Sequence, residues 1–155
     1  MMGGGGQQQL QQLSQELEAI DQEIEELETR IQGIRQEQTE IDEAIEAINT
    51  LETGSTVQVP LGGGAYVRAE IQDIDEVIVD LGGNYAAEHE QDGAVEAMER
   101  RKELLDDRIE DVQDEIDELE SESEEIEQQA QQMQQQMQQQ QMQQMQQMQE
   151  GDEGE

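Results

Sequence analysis

The chain has 155 residues, 41 of them Asp or Glu against 7 Lys or Arg, for a formal charge of -34. It has no cysteine, one histidine, no Phe or Trp and only two tyrosines. This excludes disulfide frameworks, thiolate metal sites and two-histidine zinc motifs, makes phosphate backbones and anionic membranes poor partners, and leaves too few apolar residues, 32%, for an ordinary compact core.

The first predicted element is a long helix. Steps of three and four from Leu10 land on Leu13, Leu17, Ile20, Ile24, Leu27, Ile31, Ile34, Gln38, Ile41, Ile45 and Ile48, so eleven of twelve positions are Leu or Ile. This is a heptad repeat, about 58 Å long as a helix. Residues 7–50 form this N-terminal coiled-coil helix. The preceding Met-Met-Gly-Gly-Gly-Gly has neither a basic nor an apolar stretch, so no signal peptide is expected. No apolar run approaches the length of a membrane helix.

Residues 55–89 change to period two. Val57, Val59 and Leu61 alternate with polar residues or proline, and Gly62-Gly63-Gly64 turns the chain. Ala65, Val67, Ala69 and Ile71 share one face of the next strand. After a polar link, Val77, Val79 and Leu81 precede a second turn at Gly82-Gly83-Asn84, and Tyr85, Ala87 and His89 finish the segment. These are two β-hairpins closed by glycines. Four short strands with free edges cannot bury themselves, so other subunits are expected to complete the sheet, by closure into a barrel. The triple glycine lacks a phosphate-loop lysine and reads as a turn. His89 reads as a solvated side chain. Acid pairs such as Asp106-Asp107 lack an EF-hand loop and read as a solvated face. No catalytic constellation, cofactor site or metal site emerges.

A second heptad repeat follows at Val95, Met98, Lys102, Leu105, Ile109, Val112, Ile116, Leu119, Ser123, Ile126, Ala130, Met133 and Met137. Residues 92–137 form the C-terminal coiled-coil helix, antiparallel to the first. Facing Ile48 with Val95 matches both repeats to their ends, through Ile45–Met98, Gln38–Leu105, Ile34–Ile109, Leu27–Ile116 and Leu10–Met133. This register places Glu37 by Arg108 and Arg30 by Glu115, which attract, and Asp42 by Asp106, which repel.

The tail, residues 138–155, continues a tract in which 16 of the 22 residues from Gln128 to Gln149 are Gln and five are Met. Both are good helix formers, although such composition also suits a disordered tract. Flexible thioethers adapt to irregular apolar partners. The far end of the helix pair thus reads as a surface for exposed apolar segments of other proteins. So acidic a surface repels itself in dilute salt and is screened in molar salt, which points to a salty cytoplasm.

The segment VPLGGGAYVRAEIQDIDEVIVDLGGNYAAEH, Val59 to His89, with its V-P-L-G-x-G start and V-I-V-x-x-G-x-x-Y second hairpin, resembles the archaeal prefoldin family. Two hairpins point to its α type, since the β type has one. The resemblance implies an α+β fold: a long antiparallel coiled-coil hairpin whose two-β-hairpin insert forms part of an inter-subunit β-barrel. It implies a cytoplasmic, ATP-independent holdase subunit rather than an enzyme, in a hexamer of two α and four β prefoldin subunits. Such a hexamer captures unfolded client proteins at the coiled-coil ends and passes them to a group II chaperonin. By the same resemblance, client contact falls on Leu10, Leu13, Met133, Met137, Met142, Met145 and Met148. Assembly falls on Val57, Val59, Leu61, Val67, Val77, Val79, Leu81 and Tyr85. The competing reading is a coiled-coil scaffold or tether without chaperone activity.

Overall fold

The computed structural model describes residues 3–153. Met1, Met2, Gly154 and Glu155, on which the readings of the chain start and of the tail's end partly fall, lie outside the described residues. The elements in order are α1 (Gly3–Thr50), β1 (Thr56–Gly62), β2 (Ala65–Glu70), β3 (Val77–Gly82), β4 (Tyr85–His89) and α2 (Gln91–Glu153). Helix α2 continues without a break through the Gln/Met tract. The helical alternative therefore holds there, as expected where Gln and Met meet no Gly or Pro before Gly151.

The chain divides into two compact units, residues 31–110 and residues 1–30 with 111–155. In the first, the two helices pack as an antiparallel pair around buried Ile34, Ile41 and Leu105, with Ile45, Met98 and Ile109 against them. Gln38, the polar interruption of the first repeat, sits in the predicted Gln38–Leu105 layer. Its side-chain amide donates to the Lys102 carbonyl at 3.2 Å and to Asp106 at 2.6 Å. A polar group in a seam is tolerated when its hydrogen bonds are made.

The predicted charge pairs are corrected. Among the described residues the ion pairs are Arg101–Glu37 at 3.2 Å and Lys102–Asp42 at 2.7 Å. Glu37 thus takes Arg101 rather than Arg108, and Arg30 makes no ion pair with Glu115. The Asp42–Asp106 repulsion is relieved because Lys102, nominally a seam residue, carries its ammonium out to Asp42 on a flexible apolar stem. The hydrogen bond to Asp42 raises the Lys102 pKa above its ordinary 10.5. The negative charges of Asp42, Asp106 and Glu99 act in the same direction, and desolvation opposes them. A raised pKa contributes stability below the ordinary value and loses it as pH rises through the folded one. A small drop in melting temperature is therefore expected above pH 10.5, and Lys102→Met should abolish that component. A melting profile in which parent and variant fall in parallel would contradict it.

The two β-hairpins are built alike. β1 pairs with β2 from Thr56–Glu70 to Gly62–Ala65, and β3 with β4 from Val77–His89 to Gly82–Tyr85. Each loop has two residues at positive φ, Gly63-Gly64 and Gly83-Asn84, as two-residue loops that match strand twist require. Each has a register shift at the leucine before the loop, Leu61 or Leu81. The pattern Val-x-Val-x-Leu-Gly-Gly thus occurs twice, at Val57 and at Val77. The copies differ in burial. Val79 is 6% exposed, whereas its counterpart Val59 is 40% exposed.

Gln91 ties this unit together. Its side-chain amide donates to the carbonyls of Ile48 at 2.7 Å and Leu51 at 3.2 Å, satisfying acceptors that a helix end otherwise leaves open. Its backbone N–H donates to Asp75 at 3.4 Å, so the polar link after β2 supplies a carboxylate to the start of α2, where the helix dipole favours it.

In the second unit Ile20, Leu27, Val112, Ile116 and Ile126 are buried, Ile116 most deeply at 2% exposure. Leu17, Ile24 and Leu119 are half-buried.

Candidate functional site

Two sets of apolar side chains are left open, one in each unit. The first lies where α1 begins. Burial falls off along the seam here: Leu10, Leu13, Met133 and Met137 are only half-buried. A groove of about 380 Å³ runs between Leu13 and Met133, walled by Gln9, Gln12, Gln129, Gln132, Gln136 and a single acid, Glu16. A Cβ on Gly6 would stand 3.2 Å from Sδ of Met137. Gly6 therefore lies against Met137, as the predicted register requires, and α1 comes close because that position has no side chain. In this register Gly3 faces Gln140, and α2 continues to Glu153. Met142, Met145 and Met148 stand beyond the first described residue of α1. They are 71%, 72% and 80% exposed. The seven residues assigned to client contact thus form two groups, four half-buried along the seam and three exposed on the last turns of α2.

The second set belongs to the β-hairpins. Leu61, Leu81 and Tyr85 are at least 60% exposed, and Val59 and Val67, which face each other across β1 and β2, are 40% and 45% exposed. Val57 and Val77 are half-buried. Val79 differs from the other seven assembly residues, since it is buried by its own chain. It lines an apolar groove of about 510 Å³ with Leu81, His89, Ala97 and Leu104, edged by Arg100 and Arg101. Arg101 also donates to the Asp80 carbonyl at 3.3 Å and bonds Glu37, so one guanidinium holds β3 and both helices. His89 is not the solvated side chain expected from its neighbours in sequence. It is half-buried in this groove, with Nε2 buried and without a hydrogen-bond partner among the described residues. Its position at the end of a strand folds it onto α2, where Gly93 packs against its ring.

The sequence reading missed Ile78 and Leu104, 73% and 68% exposed. Both were masked by neighbours that fit the pattern. Ile78 sits between Val77 and Val79, whose alternation drew the reading to the opposite strand face, and Leu104 adjoins the seam leucine Leu105. Leu104 is visible in retrospect as the apolar residue one step out of heptad phase. Among the described residues no group of three or more His, Cys, Asp or Glu is placed to hold a metal ion, and no helix is long and apolar enough to cross a membrane.

Paired helices with an apolar seam and an insert of two β-hairpins define the class, a coiled-coil protein with a β-hairpin insert. The family model described as "Prefoldin subunit" matches residues 20–136. A prefoldin subunit alpha of Halorubrum lacusprofundi is 72% identical over 112 residues, 72% of this chain and 74% of the relative. One from Haloarcula marismortui is 63% identical over 105 residues, 68% of each chain. Among solved structures, filamentous PFD from Methanocaldococcus jannaschii, known from cryo-electron microscopy, superposes with a TM-score of 0.51 at 27% identity, covering 77% of this chain and 95% of that one. The chain therefore belongs to the prefoldin family of chaperone subunits, in its archaeal alpha type. Its acidity agrees with relatives from halophilic archaea.

Proposed function

We propose that the chain is the α-type subunit of a cytoplasmic, ATP-independent holdase. It assembles with prefoldin β subunits, two α to four β, captures unfolded client proteins at the open end of its helix pair and passes them to a group II chaperonin. The observation that carries this reading is the exposure of Met142, Met145 and Met148 in a stretch of α2, residues 138–149, otherwise made of Gln. Three bare thioethers in a nearly uncharged setting present adaptable apolar contacts, whereas the shaft behind them is acidic. Each contact is weak. Several ends acting on one client raise avidity without a deep pocket, and stepwise release needs no nucleotide. The exposed hairpin faces around Val59, Val67, Leu61 and Tyr85 are assigned to assembly. Partner strands there would cover apolar side chains and pair open edges in one step, and barrel closure is the simplest geometry that does both.

The test is light scattering of a chemically unfolded client diluted into molar salt with the assembled complex. A truncation ending at Gln140 removes the three exposed methionines and keeps the seam up to Met137. Suppressed aggregation that is indifferent to ATP and largely lost on truncation is the expected result. Suppression that survives truncation moves client contact to Leu10, Leu13, Met133 and Met137. No suppression by the full complex leaves the scaffold reading. A second reading has its own support: the solved neighbour is a filament, and the hairpin edges are open. Sizing the chain alone in molar salt separates self-assembly from a requirement for β subunits.

A further inference from the structure

The eight methionines are the only oxidisable sulfur in a chain without cysteine, and their distribution is uneven. Along the shaft the seam is built mainly of Leu, Ile and Val, with Met98 the one thioether. Toward the end of α2 every large apolar residue after Ile126 is Met, at 133, 137, 142, 145 and 148. Neither helix propensity nor apolarity explains this, because Leu serves both as well as Met. Thioethers differ from leucine in being oxidised by peroxide, which turns a flexible apolar side chain into a polar one and disrupts Met-rich contact surfaces.

Exposure then sorts the methionines. Met142, Met145 and Met148 are 71% to 80% exposed. Met98, Met133 and Met137 are half-buried, with Met137 sheltered against Gly6. Steps of three residues place the exposed three on neighbouring positions of one helix arc, so one oxidising encounter alters a whole contact surface.

We infer that Met142, Met145 and Met148 form a peroxide-modifiable site that switches this end of the chain from apolar to polar. The inference rests on the proposal that the last turns of α2 contact clients. In the step itself a thioether sulfur attacks one peroxide oxygen. The S–O bond forms as the O–O bond breaks, and the departing oxygen leaves as water after proton transfer. Sulfur is oxidised by two electrons and peroxide reduced by two. A thiol-dependent methionine sulfoxide reductase reverses the change. The helix backbone and the Leu/Ile seam take no part, so the modified chain stays folded and assembled.

The test treats the assembled complex with graded hydrogen peroxide in molar salt, follows oxygen addition at each methionine by peptide mass spectrometry, and reads client aggregation at each step. Expected is oxidation of Met142, Met145 and Met148 ahead of Met98, Met133 and Met137. Suppression should be lost in parallel and restored by the reductase with a dithiol. A Met142→Leu/Met145→Leu/Met148→Leu variant, whatever its untreated level of suppression, should show the same level after peroxide. Undiminished suppression by parent complex oxidised at all three positions overturns the switch, as does equal peroxide sensitivity of the leucine variant. A Met142→Gln/Met145→Gln/Met148→Gln variant keeps the two ideas apart. Normal suppression by unoxidised glutamine variant overturns client contact at the last turns of α2. Its loss there, with oxidised parent unaffected, overturns the switch alone.

Discussion

Transfer from molar to millimolar salt is expected to remove most of the far-ultraviolet helical signal of this chain. The charge of -34 rests on 41 acids and 7 Lys or Arg, yet among the described residues only two ion pairs form. Along α2 the acids recur at helical spacing, as in Glu103, Asp107, Asp111 and Glu115, and again in Asp106, Glu110, Asp114, Glu118 and Glu122. Each like-charged pair four residues apart costs about 0.2–0.5 kcal/mol in a helix, and the facing helix adds its own acids. Screening decides how many of these terms act, since the Debye length is about 3 Å at 1 M salt and about 30 Å at 0.01 M. The seam opposing them is narrow, two helices wide, and few of its side chains are fully buried. Circular dichroism across a salt titration measures the balance. An ellipticity that does not change between millimolar and molar salt would refute the argument, because the repulsion would then be too small to matter.

Replacing Ile116 by alanine should cost about 2–5 kcal/mol, the range for deleting a buried aliphatic side chain and leaving a cavity. Ile116 is 2% exposed, the least exposed of the large core side chains among the described residues. Domains are stable by only about 5–15 kcal/mol in total, so the variant should melt far below the parent in molar salt. The same change at half-buried Leu10 should cost much less, because solvent already reaches that layer. Denaturant titration of both variants tests the gradient of burial along the seam. Equal costs at Leu10 and Ile116 would mean that the open end is packed as tightly as the shaft, which would also weaken the case for client contact there.

The helices were legible because heptad phase is a one-dimensional signal. Eleven of twelve Leu or Ile positions from Leu10 to Ile48 name the buried stripe and, with the second repeat, the register. The Gln38–Leu105 layer follows from that count, whereas the bonds of the Gln38 amide to Lys102 and Asp106 do not. The β-hairpins were legible for the same reason: alternation marks the strands, and glycine pairs mark turns that need positive φ. The charge pairs were not legible. Register fixes which Cα atoms face each other, but long side chains choose among several partners within reach. Lys102 turns out to Asp42, and Arg101 reaches Glu37 and Asp80. His89 was misplaced for a related reason, because alternation says which face a residue takes and not what lies against it.

By itself the sequence determined the periodicities of this protein: two long amphipathic helices, two glycine-closed hairpins, an acidic shaft and a Gln/Met end, since each follows from local spacing and composition. Tertiary structure alone decided which equivalent residues differ. It buries Val79 and leaves Val59 open, binds Gln91 across the last turn of α1, and sets the seam methionines apart from the exposed three. These outcomes depend on distances between residues far apart in the chain, and the free energy of such contacts is set by three-dimensional neighbours that no local pattern specifies.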